Sequence, residues 1–252
     1  MCLRDILSRV KNGDMDLIEA EKQIRLYGYQ SVGKIAKLDA CRMARIGVPE
    51  VILAEGKNAE DLMDIAMAQL KSEGRAIITR VSDEQLGALR KASKVEWHPH
   101  ARVAILRKKK KSSTDGVVGI IAAGTADIPV AEEARIIAEE MGCKVITAYD
   151  VGVAGIHRLF SELSKMIDAG VDALVVAAGR EGALPAVVAG LVDVPVIGLP
   201  VSTGYGAGGS GEAALLSMLQ SCSVLSVVNI DAGFVAGAFA AKIANKARED
   251  KK

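Results

Sequence analysis

Apolar and polar positions follow one pattern in the first part of the chain and another in the second. In the first part, apolar residues recur at helical spacing and short apolar runs lie between them. The predicted elements are helices over 3–27 (broken at Gly13), 58–72 and 82–91, with strands over 49–54 and 76–81. Asn58 and Ser82 precede two of these helices and are typical N-cap residues. We therefore expect a helical leader and a small α/β domain over residues 1–107.

Strands and helices alternate regularly after residue 116. Strands are predicted over 117–122, 144–149, 172–177, 195–198 and 223–229, and helices over 128–141, 155–169, 182–190, 211–220 and 231–246. This alternation predicts right-handed crossovers and a three-layer α/β/α sandwich with a parallel sheet over residues 116–252. The lysine-rich segment 108–115 is expected to be a solvated linker between the domains, with a phosphate-gripping loop as the alternative.

Composition and charge give no reason to expect a nucleic-acid-binding, membrane or disulfide-rich protein. Half of the 252 residues are hydrophobic and the formal net charge is +1, so a large core is expected and no charge favours nucleic acid or a membrane surface. The four cysteines (2, 41, 143 and 222) form no CxxC pair, which predicts free thiols rather than disulfides or a zinc site. Neither a signal peptide nor a membrane-spanning run is present in the sequence, so we expect a cytoplasmic protein.

Several predicted strands end in turns of small residues. Such turns line the ligand crevice at the carboxyl edge of an open parallel sheet. The first is Gly124-Thr125-Ala126-Asp127, where Thr125 or Asp127 is expected to cap the following helix and Pro129 fits its first turn. The same helix start is also a possible phosphate cradle. The turn matches neither GxGxxG nor a P-loop, which disfavours those two nucleotide folds.

The turn after the second strand carries polar groups. Asp150 lies at the predicted carboxyl edge, where a carboxylate can bind a ribose hydroxyl or a metal-bound water. His157 and Arg158 follow Gly155 at the start of a helix, a place that disfavours cations unless an anion offsets them. This pair indicates either a phosphate site or ordinary surface charge.

The third strand is followed directly by Arg180 and Glu181. Glu181 is a candidate general base, and Arg180 can bind a carboxylate in bidentate fashion. The alternative is a salt bridge that caps the next helix. The segment 202–211 contains five glycines and is expected either to close over a ligand or to be a mobile connection.

Cys222 lies between a predicted helix and the last strand. A free cysteine is commonly a small buried hydrophobe, and the end of a helix does not favour a thiolate. Chain order also places Cys222 at the amino edge of the sheet, so reaching the crevice would require a neighbouring subunit.

Residues 119–244 resemble the N5-carboxyaminoimidazole ribonucleotide mutases and aminoimidazole ribonucleotide (AIR) carboxylases. The matching segments are Gly124-Thr125-Ala126-Asp127, Ala178-Gly179 with Leu184-Pro185, and 195–201. That family carries a catalytic histidine two residues before the proline of its Ala-Gly-Gly-Ala-Ala-His-Leu-Pro motif, and Ala183 takes this position here. The resemblance implies a flavodoxin-like fold of the carboxylase-mutase type.

The whole chain is more similar to the LarB family of nickel-pincer cofactor biosynthesis proteins. The similarity is carried by Ala-Gly-Arg-Glu-Gly-Ala-Leu-Pro (178–185), by Gly-Val-Ala-Gly-Ile-His-Arg-Leu (152–159), by Cys222, and by Arg-Ile-Gly-Val-Pro-Glu-Val-Ile (45–52). It implies carboxylation of nicotinic acid adenine dinucleotide by CO2 and release of AMP, giving pyridinium-3,5-biscarboxylic acid mononucleotide. It also implies Mg2+ and a large homo-oligomer, by analogy an octamer.

The resemblance implies a role for each candidate residue. Cys222 would add to the pyridinium ring, Glu181 would remove the ring proton and Arg180 would hold a carboxylate. The residues expected to bind substrate are Gly124, Thr125, Asp127, Asp150, Gly155, His157, Arg158, Gly179, Ser202 and Gly204. Asp150 is also the candidate for a metal contact through water. The alternatives are an AIR carboxylase or mutase of purine synthesis, and a nucleotide-binding module without catalysis.

Overall fold

A computed structural model describes residues 3–27, 30–33, 35–39, 42–108, 111 and 113–249. The chain divides into two units, one of Met1–His98 with Arg102–Lys110 and the other of Pro99–Ala101 with Lys111–Lys252. Lys109, Lys110 and Ser112 of the predicted linker lie outside the described residues, as do Cys2 and Cys41. None of the helices in the described ranges is long and apolar enough to cross a membrane.

The first unit contains a two-stranded hairpin and a four-stranded mixed sheet. Its strands are β1 (Gln30–Val32), β2 (Ala36–Leu38), β3 (Val51–Leu53), β4 (Arg75–Thr79), β5 (Val95–His98) and β6 (Val103–Arg107), and its helices are α1 (Leu3–Lys11), α2 (Leu17–Tyr27), α3 (Arg42–Ile46), α4 (Ala59–Glu73) and α5 (Asp83–Ala92). The four-stranded sheet has the order β3–β4–β6–β5, in which only β3 and β4 are parallel.

Both predicted N-caps of this unit are confirmed. The Asn58 side chain accepts a hydrogen bond from the Asp61 backbone N–H at 2.8 Å. Ser82 and Gln85 exchange side-chain and backbone bonds in a capping box, which satisfies two otherwise unpaired N–H groups at the start of α5.

The second unit is a parallel five-stranded sheet covered by helices, which confirms the predicted fold class. Its strands are β7 (Val117–Ala122), β8 (Lys144–Ala148), β9 (Ala173–Ala178), β10 (Val196–Pro200) and β11 (Ser226–Val227), and its helices are α6 (Ile128–Glu140), α7 (His157–Asp168), α8 (Leu184–Ala189), α9 (Glu212–Leu219) and α10 (Gly233–Glu249). The strand order is β11–β10–β9–β7–β8. The chain leaves β7 in one direction and returns to β9 on its other side, so a crevice opens between the carboxyl ends of these two strands.

Burial explains why the middle strands are continuous apolar runs. Every residue of β7, β9 and β10 is buried, as expected for parallel strands with helices on both faces. Helices α7, α8 and α9 contribute to one apolar cluster with the sheet, while α6 and α10 pack against each other and against β7 and β9. The sheet therefore has the three-layer arrangement that the alternating pattern predicted.

The last strand is shorter than predicted. The pattern predicted a strand over 223–229, but only Ser226 and Val227 pair with β10. Just before them, the Ser223 hydroxyl donates to the carbonyl of Ala186 in α8 at 2.8 Å. This side-chain bond ties the start of the segment to a helix instead of to the sheet.

Candidate active site

A cavity of about 280 Å³ lies at the carboxyl ends of the parallel strands. Its lining residues are Ala123, Gly124, Ala126 and Asp127 after β7, Gly152 to Ala154 after β8, Ala178 and Arg180 to Leu184 at the end of β9 and beyond, and Thr203 to Tyr205 after β10. The cavity therefore occupies the switch point between β7 and β9, where ligands bind in sheets of this topology.

Asp127 is the buried charged group of this cavity, with only 5% of its surface exposed. Its Oδ2 accepts from the Gly124 backbone N–H at 2.9 Å, and its Oδ1 accepts from the Thr203 hydroxyl at 2.9 Å. The backbone N–H of Gly179 also stabilises the ionised form of this carboxylate. Burial raises the pKa of Asp127, and the nearby Glu181 carboxylate raises it further, while these three groups oppose the shift.

The prediction that Thr125 or Asp127 caps helix α6 is confirmed for the position of Asp127, but no side-chain bond caps the helix. Asp127 occupies the N-cap position of α6, but its side chain makes no bond to that helix and turns back to Gly124. A short 3-10 turn, Thr125–Asp127, precedes the helix and changes the direction of the carboxylate. Thr125 is exposed, and Pro129 lies in the first turn of α6 as predicted.

Arg180 and Glu181 both line the cavity and are both exposed to solvent. The guanidinium carbon of Arg180 lies 4.6 Å from the centre of the Tyr205 ring, a cation–π contact. Tyr205 belongs to the glycine-rich loop (residues 202–211) and is 73% exposed. This loop therefore reaches the charged pair that follows β9.

The polar groups after β8 lie beside the cavity rather than among its lining residues. Asp150 has a left-handed backbone (φ 59°) and its carboxylate pairs with the guanidinium of Arg158. Arg158 also donates to the carbonyl of Gly155, and His157 is exposed. The segment from Gly152 to Ala154 forms the wall itself. A role of Asp150, His157 and Arg158 in binding ribose or phosphate stays a prediction.

Cys222 is exposed and is not among the residues that line the cavity. It lies in the connection between α9 and β11, on the amino side of the strand, as the chain order indicated. Apolar side chains close to it in sequence are also exposed, with Val224 94%, Leu219 61% and Leu216 55% accessible. Within one chain, Cys222 therefore lies at the amino end of the sheet, whereas the cavity lies at the carboxyl end.

The other described cysteine has a different environment. Cys143 is buried, its thiol contacts the side chain of Asn245, and burial raises the pKa of this thiol. A thiol of this kind is structural rather than reactive. Cys222 is thus the exposed thiol of the two cysteines that the structure describes.

Thr203 and Tyr205 line the cavity but were not predicted as site residues. They flank Gly204, which was predicted to bind substrate. Of the predicted pair in the same loop, Gly204 lines the cavity, whereas the backbone N–H of Ser202 bonds to Asp231 at 2.9 Å. The density of glycines marked the loop correctly, but spacing alone could not tell which of its residues face inward.

The described residues do not form a ready site for the predicted Mg2+. No group of three or more His, Cys, Asp or Glu side chains that could hold a metal lies together within the described ranges. The carboxylate of Asp127 already accepts hydrogen bonds from Gly124 and Thr203, and Asp150 pairs with Arg158. Mg2+ is usually held by one or two carboxylates together with substrate phosphates, and both of these carboxylates already have protein partners, so Mg2+ stays a prediction.

Comparison with known proteins covers nearly the whole chain. Residues 117–252 match the family described as AIR carboxylase, and residues 29–109 match the LarB/PurE-like N-terminal domain. An uncharacterized protein of Methanocaldococcus jannaschii is 46% identical over 250 residues, which are 96% of either chain. N5-carboxyaminoimidazole ribonucleotide mutases match smaller parts. That of Pyrococcus horikoshii is 30% identical over 118 residues (45% of this chain, 63% of the mutase), and that of Thermotoga maritima is 33% identical over 90 residues (34% and 50%).

Proposed function

Because the chain belongs to the AIR carboxylase family and combines its domain with a LarB/PurE-like N-terminal domain, we propose that it carboxylates a pyridinium ring. The proposed substrate is nicotinic acid adenine dinucleotide, which takes up CO2 at ring position C5 and is hydrolysed to release AMP. The product is pyridinium-3,5-biscarboxylic acid mononucleotide. The family itself consists of carboxylase- and mutase-type enzymes.

The observation that carries this proposal is the segment after β9. Arg180, Glu181 and Ala183 all line the cavity. Ala183 occupies the position at which the resemblance implies a proton-carrying histidine in the purine enzymes, and an alanine cannot move a proton. Glu181 supplies a carboxylate two residues earlier on the same wall, so the proton acceptor of this site is a carboxylate.

The charges of the cavity suit a cationic ring. Asp127 is buried, pairs with no cation among the residues that the structure describes, and has a pKa raised by burial and by Glu181. A positively charged pyridinium ring near these two carboxylates would offset their mutual repulsion. Arg180, on the same wall, would hold the carboxylate that the ring already carries at C3.

In this proposal, Cys222 and Glu181 carry out the carboxylation of the ring. The thiolate of Cys222 adds to C4 of the ring, and the ring nitrogen takes up the electron pair, which makes C5 nucleophilic. C5 then attacks CO2, and Glu181 accepts the proton from C5, which restores the enamine. Departure of the thiolate with its electron pair regenerates the aromatic cation. The step is redox-neutral and exchanges one ring proton for one carboxylate, as in other covalent catalysis.

Cleavage of the dinucleotide uses water and the phosphoanhydride of the substrate. Water attacks one phosphorus and the bridging P–O bond breaks, so AMP and the carboxylated mononucleotide leave separately. The cavity volume of about 280 Å³ is slightly below the range of about 300–1,000 Å³ that holds drug-sized ligands. This volume suits the nicotinate half of the dinucleotide, with the AMP half extending outside.

Cys222 and Glu181 are contributed by different chains in this proposal. Cys222 lies on the amino side of β11, whereas Glu181 follows the carboxyl end of β9. The apolar residues Leu216, Leu219 and Val224 are exposed close to Cys222 in sequence. A homo-oligomer that buries these residues would bring Cys222 to a neighbouring cavity. The octamer expected from the resemblance is one such assembly.

Intact-mass spectrometry with the dinucleotide and bicarbonate tests the proposal. Wild type and C143A should form a covalent adduct and release AMP with the carboxylated mononucleotide, whereas C222A should form neither adduct nor product. Cys143→Ala is the matched control because it removes a buried thiol that does not line the cavity. Full activity of C222A would exclude the covalent route.

The similarity to the mutases supports a second candidate, an AIR carboxylase or mutase of purine synthesis. This function needs no thiol, so turnover of aminoimidazole ribonucleotide or of its N5-carboxy form would be insensitive to C222A. Turnover of those substrates together with no reaction of the dinucleotide would favour the second candidate. A protein that turns over neither substrate and forms no adduct would be a nucleotide-binding module.

A further inference from the structure

Three turns of the cavity meet at one carboxylate. Asp127 accepts from Gly124 N at 2.9 Å in the turn after β7 and from Thr203 Oγ1 at 2.9 Å in the loop after β10. Gly179, after β9, also lies against this carboxylate, and its backbone N–H stabilises the ionised form. Both carboxylate oxygens are thus engaged by protein donors, and the acceptor-only chemistry of an ionised aspartate matches a site lined by donors.

Glycines surround this contact because it leaves no space for side chains. A Cβ added to Gly179 would lie 2.3 Å from Thr203 Oγ1 and 2.7 Å from Asp127 Oδ1. A Cβ added to Gly204 would lie 2.4 Å from the carbonyl oxygen of Gly179. The backbones after β9 and β10 therefore approach each other closely at the point where Thr203 meets Asp127.

We propose that Asp127 is a positioning residue that fixes the glycine-rich loop through Thr203. Tyr205 follows Thr203 by two residues and stacks on Arg180. The bond between Asp127 and Thr203 therefore fixes the position of the loop, and with it the position of the Tyr205 ring over the Arg180 guanidinium. Asp127 acts through these residues and does not itself contact the reacting atoms. The proposal rests on the proposed function only for its kinetic readout.

Substitutions of Thr203 test the proposal without changing Asp127. T203V removes the hydroxyl and keeps the shape, whereas T203S keeps the hydroxyl. Amide hydrogen exchange, measured without substrate, should become about 10- to 100-fold faster at Gly209, Glu212 and Ala213 in T203V, because their backbone N–H groups donate to carbonyls of the glycine-rich loop and the variant loses one hydrogen bond to a charged group. T203S should exchange like wild type. KM for the dinucleotide should rise in T203V more than kcat falls, and T203S should restore it.

A second variant keeps the test independent of Thr203. G179A forces a Cβ between Asp127 and Thr203 and should give the same local increase in exchange. Equal exchange in wild type, T203V and G179A would overturn the proposal, as would an equal increase in T203V and T203S. If exchange changes as expected while every variant and the wild type leave the dinucleotide unreacted, the proposed function fails and the positioning role stands.

Discussion

Each end of the five-stranded sheet carries an aspartate, buried at the carboxyl end and half-buried at the amino end, and the two differ in the groups that face them. Asp172, directly before β9, accepts from Val117 N at 2.8 Å and pairs with Arg248 Nε at 2.9 Å. Asp127, after β7, receives donors that are all neutral within the described part of the chain, and its pKa is raised by burial. The aspartate at the amino end is thus matched by a cation, Arg248. The aspartate at the carboxyl end is unmatched, since no cation pairs with it among the described residues.

In our proposals, this difference separates a structural role of Asp172 from a functional role of Asp127. A carboxylate paired with a cation ties two elements together, here the start of β9 and the end of α10. An unmatched carboxylate in a cavity costs stability and is typical of sites that bind or react. In our proposal the reactive thiol lies at the amino end of the sheet and the proton acceptor at the carboxyl end. Each active site therefore combines the carboxyl end of one subunit with the amino end of a neighbouring subunit.

At the carboxyl end, the substitution expected to lower activity most is that of Glu181. E181Q removes the proposed proton acceptor and should lower kcat for carboxylation by about 10²- to 10⁴-fold, the usual contribution of a general base. The adduct on Cys222 should still form, because addition of the thiolate does not need that base. Steady-state kinetics and intact-mass spectrometry measure the two effects separately.

E212Q is the matched control for this substitution. Glu212 is an exposed glutamate at the start of α9 and does not line the cavity. The kcat of E212Q should therefore stay within about twofold of wild type, since substitutions at most exposed positions have small effects. Wild-type carboxylation by E181Q would assign proton removal to another group.

Mixing two inactive variants tests whether the two ends come from different chains. Co-expressed C222A and E181Q subunits should recover about a quarter of wild-type activity, because random 1:1 mixing gives one complete site in four. Activity is measured on assemblies that carry both of two affinity tags. Mixed assemblies that stay as inactive as the separate variants would show that each site takes both residues from one chain.

Identical substitutions of the two aspartates should separate their roles. D172N breaks a partly buried ion pair and should lower the free energy of unfolding by about 1–3 kcal/mol at neutral pH. D127N removes an unmatched charge and keeps an acceptor for Thr203, so its loss should be smaller. Urea unfolding measures both, and equal losses would contradict the contrast between the two ends.

The raised pKa of Asp127 also predicts how the stability of the protein changes with pH. Burial raises the pKa of Asp127 above its usual value of 3.8 in the folded state, so the folded protein binds this proton more tightly than the unfolded chain. The free energy contributed by Asp127 therefore falls as the pH rises from 3.8 through the folded-state pKa. D127N should remove that part of the decline, whereas a curve unchanged by D127N would show that Asp127 is not its source.

The sequence predicted the elements whose signal is local. Strands buried on both faces are continuous apolar runs, and β7 and β9 were placed within one residue of their observed ends. The caps at Asn58 and Ser82 follow from side chains that act three residues away. The hairpin of β1 and β2 was missed because strands of three residues are too short to show a period.

The candidate site was only partly predictable because its key contact is not local. Thr203 and Asp127 are 76 residues apart in the chain, and no spacing rule connects a threonine in one turn with an aspartate in another. Helical N-cap rules assigned the Asp127 side chain to α6, whereas the 3-10 turn before that helix directs it to Gly124. Chain order was enough to place Cys222 before β11, since the direction of a parallel strand fixes its edge.

The smallest expected effect concerns Arg180 at the carboxyl end. R180K keeps the positive charge but loses the planar fork that binds a carboxylate in bidentate fashion. KM for the dinucleotide should therefore rise about tenfold, which corresponds to about 1.4 kcal/mol of lost binding, while kcat changes less because Arg180 moves no proton. Y205F is the matched control, since it keeps the ring that stacks on Arg180, and it should leave KM close to that of wild type. A fall in kcat without a rise in KM would instead place Arg180 in the chemical step.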